Sequence, residues 1–91
     1  MVVSTHLPHS SFIYAGARLN LYHFNQGEGL PRHEHGFNHA VVCIVGTCVV
    51  KKEGKELILT ASSEPVDLVR GEWHEIEALI DGTILLTMFV A

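Results

Sequence analysis

Turn-forming residues interrupt this chain every few positions, and no window of ten residues between them keeps a helical period with caps. That rhythm confines the chain to an all-β fold. Ser11 to Ala15 and Arg18 to Asn25 are rich in β-branched, aromatic and alternating residues. Within Ala17 to Phe24, Leu19, Leu21 and His23 fall on one face and Asn20, Tyr22 and Phe24 on the other. His39 to Val45 and Thr47 to Lys52 are apolar runs meeting at Gly46, and Lys52-Glu53-Gly54-Lys55 is a turn signal before Glu56 to Thr60. Ala61 to Glu64 reads as a polar loop. Pro65 to Val69, Trp73 to Ile80 and Thr83 to Val90 read as three further strands, the last two forming a hairpin through Asp81-Gly82. About eight short strands at this spacing predict a sandwich or barrel.

The length of 91 residues predicts one domain, 1–91, without linker, repeat or low-complexity segment. A chain this short buries about two thirds of the surface of its unfolded form. A bound metal or a second subunit would therefore add useful stability by mass action. With 47% hydrophobic and 18% charged residues, the composition suits a packed core rather than disorder. The net charge of −4 and the lack of any basic cluster beyond Lys51-Lys52 argue against nucleic-acid or anionic-membrane partners. No apolar run is long enough to span a bilayer, and Met1 to Ser11 has neither the basic start nor the apolar stretch of a secretory signal. The expected compartment is cytoplasmic. There Cys43 and Cys48 are expected to be reduced apolar fillers, although a two-residue turn at Val45-Gly46 would set them opposite each other and make a disulfide conceivable.

Histidine is the compositional outlier, with seven in the chain. Three crowd into His33-Glu34-His35-Gly36-Phe37-Asn38-His39, and His74 follows Gly71-Glu72-Trp73. Imidazole is the commonest metal ligand. On a strand, His33 and His35 share a face because side chains alternate, and Glu34 between them faces away. His6, His9 and His23 are isolated and read as surface or satisfied polar residues.

The spacing resembles the paired motifs of the cupin superfamily. The first motif runs Gly, five residues, His-x-His, three or four residues, Glu, six residues, Gly. Here Gly27, His33, His35 and Gly46 match, and His39 stands where the glutamate is expected. The second motif runs Pro-x-Gly, two residues, His, three residues, Asn. Gly71 and His74 match, while Val69 and Ala78 depart from it. The resemblance covers residues 18–90 and implies a small single-domain cupin, an antiparallel β-barrel or jelly roll. It places His33, His35, His39 and His74 on four metal-ligand positions for a divalent transition metal: Fe, Mn, Ni, Cu or Zn. Four neutral imidazoles leave such an ion with its full double charge, whereas a carboxylate would remove one unit. The centre would then favour anionic or enolate-like ligands and acidify bound water.

Two functional classes follow from the resemblance. One is a metalloenzyme acting on a small organic molecule, by oxygen-dependent cleavage or by isomerase or lyase chemistry. The other is a non-catalytic, metal-dependent binding or sensing module. The expected pocket lining is apolar: Val41, Cys43 and Val45 beside His39, Ile76 beside His74, and Met88, Thr87 or Phe89 on the last strand. Tyr22 and Glu72 are the candidate proton-transfer residues. For each the ordinary role is structural, an aromatic in the core for Tyr22 and a solvated carboxylate for Glu72. The short length and the apolar run Ile84 to Val90 also predict a homodimer.

Overall fold

The computed structural model of the chain describes residues 3–4, 7–33 and 36–90; His6, Glu34 and His35 lie outside that set. Among the described residues ten strands form: β1 (Val3–Ser4), β2 (Ser10–Tyr14), β3 (Ala17–Phe24), β4 (Glu28–His33), β5 (His39–Val45), β6 (Thr47–Lys52), β7 (Lys55–Thr60), β8 (Val66–Leu68), β9 (His74–Ala78) and β10 (Thr83–Val90). They make two five-stranded sheets, ordered β1-β4-β9-β6-β7 and β2-β3-β10-β5-β8. Apart from the parallel pair β1–β4, neighbouring strands run antiparallel. The sheets face each other as a jelly roll over one shared core. Tyr22, Phe24, Val41, Cys43 and Leu85 come from one side of it, and Cys48, Val50, Leu59, Ile76 and Ala78 from the other. Each large aliphatic side chain removed from water here contributes roughly 1.5–3 kcal/mol.

Two tight hairpins join neighbouring strands, one of them at the Lys52-Glu53-Gly54-Lys55 turn that the sequence signals. Ala15 and Gly16 both take positive φ, 52° and 80°, which is the backbone signature of a type I′ turn between β2 and β3. Glu53-Gly54 joins β6 to β7. The turns read as hairpins at Val45-Gly46 and Asp81-Gly82 are corrected. β5 pairs with β10 and β8, whereas β6 pairs with β7 and β9, so Gly46 carries the chain across the sandwich rather than back along one sheet. Asp81-Gly82 likewise passes from β9 in one sheet to β10 in the other. The alternating pattern on either side of a turn is the same whether the chain folds back or crosses over, so the sequence did not separate the two. Both crossings pack on Thr83, which is fully buried. Its hydroxyl donates to the Ile80 carbonyl (2.8 Å) and lies 3.4 Å from the Thr47 amide that donates to it. At Gly46, with φ of 89°, a Cβ would stand 2.5 Å from the Thr83 Oγ1.

The sequence reading passed over the two-residue β1 and, more consequentially, β4. Gly29 and Pro31 demote it on composition, yet each has a physical reason to be there. A Cβ on Gly29 would collide with the Ile76 backbone carbonyl, so glycine allows β4 to approach β9. Pro31 is exposed and falls where the β4–β9 register breaks between Leu30 and His33, a bulge that needs no donor from it. A second bulge, between Ile84 and Leu85, turns Val45 out of the core, where it is 47% exposed. Val45 therefore does not line a pocket. Val41 and Cys43 do face inward, but they lie in the filled core rather than around a cavity.

Cys43 and Cys48 are free, buried thiols that hydrogen-bond each other. Burial first, then the neighbouring Cys43, pushes the Cys48 thiol up to about 12. No helix among the described residues is long and apolar enough to cross a membrane.

Candidate metal centre

Register brings the first two histidines together. His33 at the end of β4 lies opposite His74 at the start of β9, and both turn to the inner side of their sheet. Their Nε2 atoms are 3.1 Å apart, and His74 is 1% exposed. The other nitrogen of each ring faces a backbone carbonyl two residues earlier: His33 Nδ1 donates to Pro31 O, and His74 Nδ1 donates to Glu72 O at 3.3 Å. These contacts hold the two rings with their Nε2 atoms toward each other. Ligands about 2.0–2.1 Å from one zinc-like ion stand roughly 2.9–3.4 Å from each other, so the pair suits two sites on a single ion. A carbonyl behind a ligating imidazole is the usual device for fixing its tautomer.

His39 comes from the opposite sheet, at the start of β5 next to Leu68 of β8. Its ring centre is 5.2 Å from that of His74 and 5.6 Å from that of Phe37, which leans on Phe89 at 4.6 Å. His39 thus borders the pair from across the sandwich. Among the described residues, no three His, Cys, Asp or Glu side chains close on one point. His35 is outside the described residues.

Several braces hold this end of the fold. The guanidinium of Arg32 lies 4.0 Å over the Trp73 ring, joining the flanks of the histidine pair. The Arg70 amide donates to Asn38 Oδ1 (2.7 Å), tying the loop before β5 to the turn before β9. These two contacts link the segment 27–46 to the segment 69–74, and so put the two sequence motifs in one place.

Lys52, which the sequence reading missed, closes the same inner row. It pairs with His74 on the side away from His33. Its ammonium lies 3.3 Å from Glu72 Oε1 and donates to the Asp67 carbonyl at 2.7 Å, bridging the two sheets. Period two along β6 was the available signal: Cys48, Val50 and Lys52 share a face. Glu72, one candidate for proton transfer, is therefore engaged by Lys52, and its backbone orients His74. Tyr22, the other, lies in the core, bonded to Thr87 and stacked on Phe24 at 5.6 Å. Burial pushes its phenol up, and the Thr87 bond only partly opposes this. An open cavity of about 470 Å³ lies beside His39, with Asn38, Asp67, Leu68, Met88 and Phe89 in its wall. Met88 and Phe89 border this cavity, Met88 from the outward side of β10, while Thr87 is buried against Tyr22.

Neither a family model nor a curated protein matches the chain. Solved structures do. A cupin-2 domain protein of Shewanella frigidimarina superposes with a TM-score of 0.73 at 14% identity, covering 96% of this chain and 85% of that one. A cupin 2 conserved barrel domain protein of Leptotrichia buccalis gives 0.77 at 20% identity, over 90% of this chain and 39% of that one. An oxalate oxidase in complex with the substrate analogue glycolate gives 0.72 at 19% identity, over 84% and 42%. The chain has the cupin fold.

Proposed function

We propose that this chain is a small metal-binding cupin that holds one divalent transition metal at the mouth of its sandwich. The carrying observation is the pair of Nε2 atoms 3.1 Å apart, each ring fixed from behind by a carbonyl. His33 and His74 would hold the ion, His39 would approach from the facing sheet, and His35 is the fourth member by motif position. Bound there, the metal supplies Lewis acidity or oxygen activation to a small organic ligand. The residues around it orient and select. The cavity beside His39 offers an apolar wall with Asn38 and Asp67 as polar groups. The Lys52 ammonium adds positive charge next to His74, suited to an anionic ligand such as a small carboxylate. The glycolate complex of the oxalate oxidase with the same fold is an example of that ligand class.

Two functions use such a site. In a metalloenzyme, oxygenase-like or isomerase- or lyase-like, the histidines would hold the metal and the cavity would position the substrate. In a non-catalytic binding or sensing module the same centre only captures the ligand. The second reading has its own support. Glu72 is neutralised by Lys52 and Tyr22 is held in the core, so neither stands ready as a general base.

Calorimetric titration of chelator-stripped, untagged protein with Zn²⁺ tests the site. One equivalent per chain is expected, with affinity falling at least about 100-fold in His74→Ala and in His33→Ala, because each removes a direct ligand. Unchanged affinity in both variants would rule the site out. Oxygen uptake by metal-loaded protein with diketone, phenolic and thiol substrates then separates oxygenase from binder.

A further inference from the structure

The strands that carry His33 and His74 meet where their backbone ladder is interrupted. β4 pairs with β9 at Gly29 with Glu77 and Leu30 with Ile76, and next at His33 with His74, with a register shift in between. Pro31 lies in that gap and has no amide hydrogen to donate. Its carbonyl accepts from the His33 ring instead. A ladder broken in this way holds the end of β4 less firmly than its middle, and that end carries His33. Side chains supply the missing tie. Alternation sends His33 and His74 inward and the residues before them, Arg32 and Trp73, outward. On that outer side the Arg32 guanidinium lies 4.0 Å over the Trp73 ring. Trp73 is also held from its other flank, where its amide donates to Glu53 Oε2 of the β6–β7 turn at 3.3 Å. Among the described residues Arg32 makes no ion pair, so its charge is given to the indole.

We infer that Arg32 and Trp73 are positioning residues of the metal centre, an outer clasp that sets the spacing of the two imidazoles on the inner side. The inference rests on the metal reading above. Both side chains point away from the inner side, so neither is a ligand. Both also stand in spacer positions that the two motifs leave open: Arg32 among the five residues between Gly27 and His33, Trp73 in the two between Gly71 and His74. The clasp is thus a property of this chain and not of the motif. Its action is pre-organisation. An ion binds tightly where its ligands already wait at the right separation, and ordering them at the moment of binding weakens it. With the clasp closed, the end of β4 stays against β9 and the two Nε2 atoms stay 3.1 Å apart. With the clasp lost, His33 rides on an untied strand end that the ion must first immobilise. A cation–π contact of this kind corresponds to about a two- to fivefold change in an equilibrium constant.

The sign of the effect separates positioning from electrostatics. Arg32 precedes His33 directly, and its positive charge opposes a dication through space. Loss of the charge alone would tighten metal binding. Loss of the clasp weakens it. Lysine keeps the charge and a cation over the ring but not the stacking of a planar guanidinium, so it keeps part of the clasp.

Calorimetric titration with Zn²⁺ of the chelator-stripped full chain and its Arg32→Met, Arg32→Lys, Trp73→Leu and Arg32→Met/Trp73→Leu variants tests the clasp. Affinity should fall about two- to fivefold in Arg32→Met and in Trp73→Leu. The double variant should bind no more weakly than either single one, because both remove the same contact. Arg32→Lys should fall between Arg32→Met and wild type. Arg32 is exposed, so its variants are expected to keep the far-ultraviolet β-signal of the wild type. If Trp73→Leu does not fold, Trp73→Phe takes its place, with a smaller loss expected from the smaller ring. Equal or tighter Zn²⁺ binding by folded Arg32→Met overturns the inference and leaves the metal reading standing. Additive losses in the double variant overturn it as well, since the two residues would then act apart. A wild-type chain that binds no Zn²⁺ overturns the metal reading and the clasp with it.

Discussion

At the scale of single residues, the decisive fact is which nitrogen of each histidine faces what. Pro31 O and Glu72 O occupy the Nδ1 side of His33 and His74, so the sequence spacing is converted into two Nε2 atoms aimed at one place. Gly46 matters for a different reason. Its φ of 89° strains any L side chain, and a Cβ there meets Thr83. Gly46→Ala is expected to cost about 2 kcal/mol or more, read as a lower urea midpoint with an unchanged slope. Cys48 sets a pH limit. Its thiol titrates near 8.5 in an unfolded chain, but burial and Cys43 raise it to about 12 in the fold. Above the lower value the unfolded chain releases a proton that the folded chain keeps, so stability is intact below about pH 8.5 and declines as pH rises toward 12. Chemical denaturation at stepped alkaline pH should show that decline, and Cys48→Ala should flatten it. An equally steep decline in the variant would assign the effect to other groups.

At the scale of elements, strand identity was legible and strand partnership was not. Period two and turn residues located β2, β3, β5, β6, β7, β8, β9 and β10, because alternation reflects a buried and an outward face on each strand. They did not reveal that Gly46 and Asp81-Gly82 cross between sheets, since crossing turns and hairpins share their turn chemistry. β4 was missed because Gly29 and Pro31 look like strand breakers, and only the closeness of β9 and the bulge explain them. The candidate site was legible to the extent that it depends on spacing: His33, His39 and His74 do gather at one end of the fold. Lys52 and its ion pair with Glu72 were not, because they depend on three-dimensional pairing between β6, β9 and the turn before β9. Gly29→Ala probes the element directly. Forcing β4 away from the Ile76 backbone should cost roughly 2–4 kcal/mol by thermal or urea unfolding and weaken metal binding with it, because the His33–His74 register is lost. Stability within about 0.5 kcal/mol of wild type would show that β4 approaches β9 less closely.

At the scale of the molecule, a small jelly roll gathers His33, His39 and His74 at one end, packs its core with aliphatic, aromatic and thiol side chains, and leaves one outer sheet face apolar and the other charged. Its size leaves little stability to spare. A bound metal adds RT ln(1 + [L]/Kd), about 2.7 kcal/mol at a hundred times the dissociation constant. The melting temperature of stripped protein should therefore climb with added Zn²⁺, and should not do so in a variant lacking both His33 and His74. The most direct measurement is X-ray absorption at the metal edge of loaded, untagged protein. Convergence of His33 and His74 predicts a nitrogen shell at about 2.0–2.1 Å with the outer-shell scattering of imidazole rings, lost when both histidines are replaced by alanine. A first shell of sulfur, or of water oxygens without imidazole scattering, would contradict a histidine metal centre in this fold.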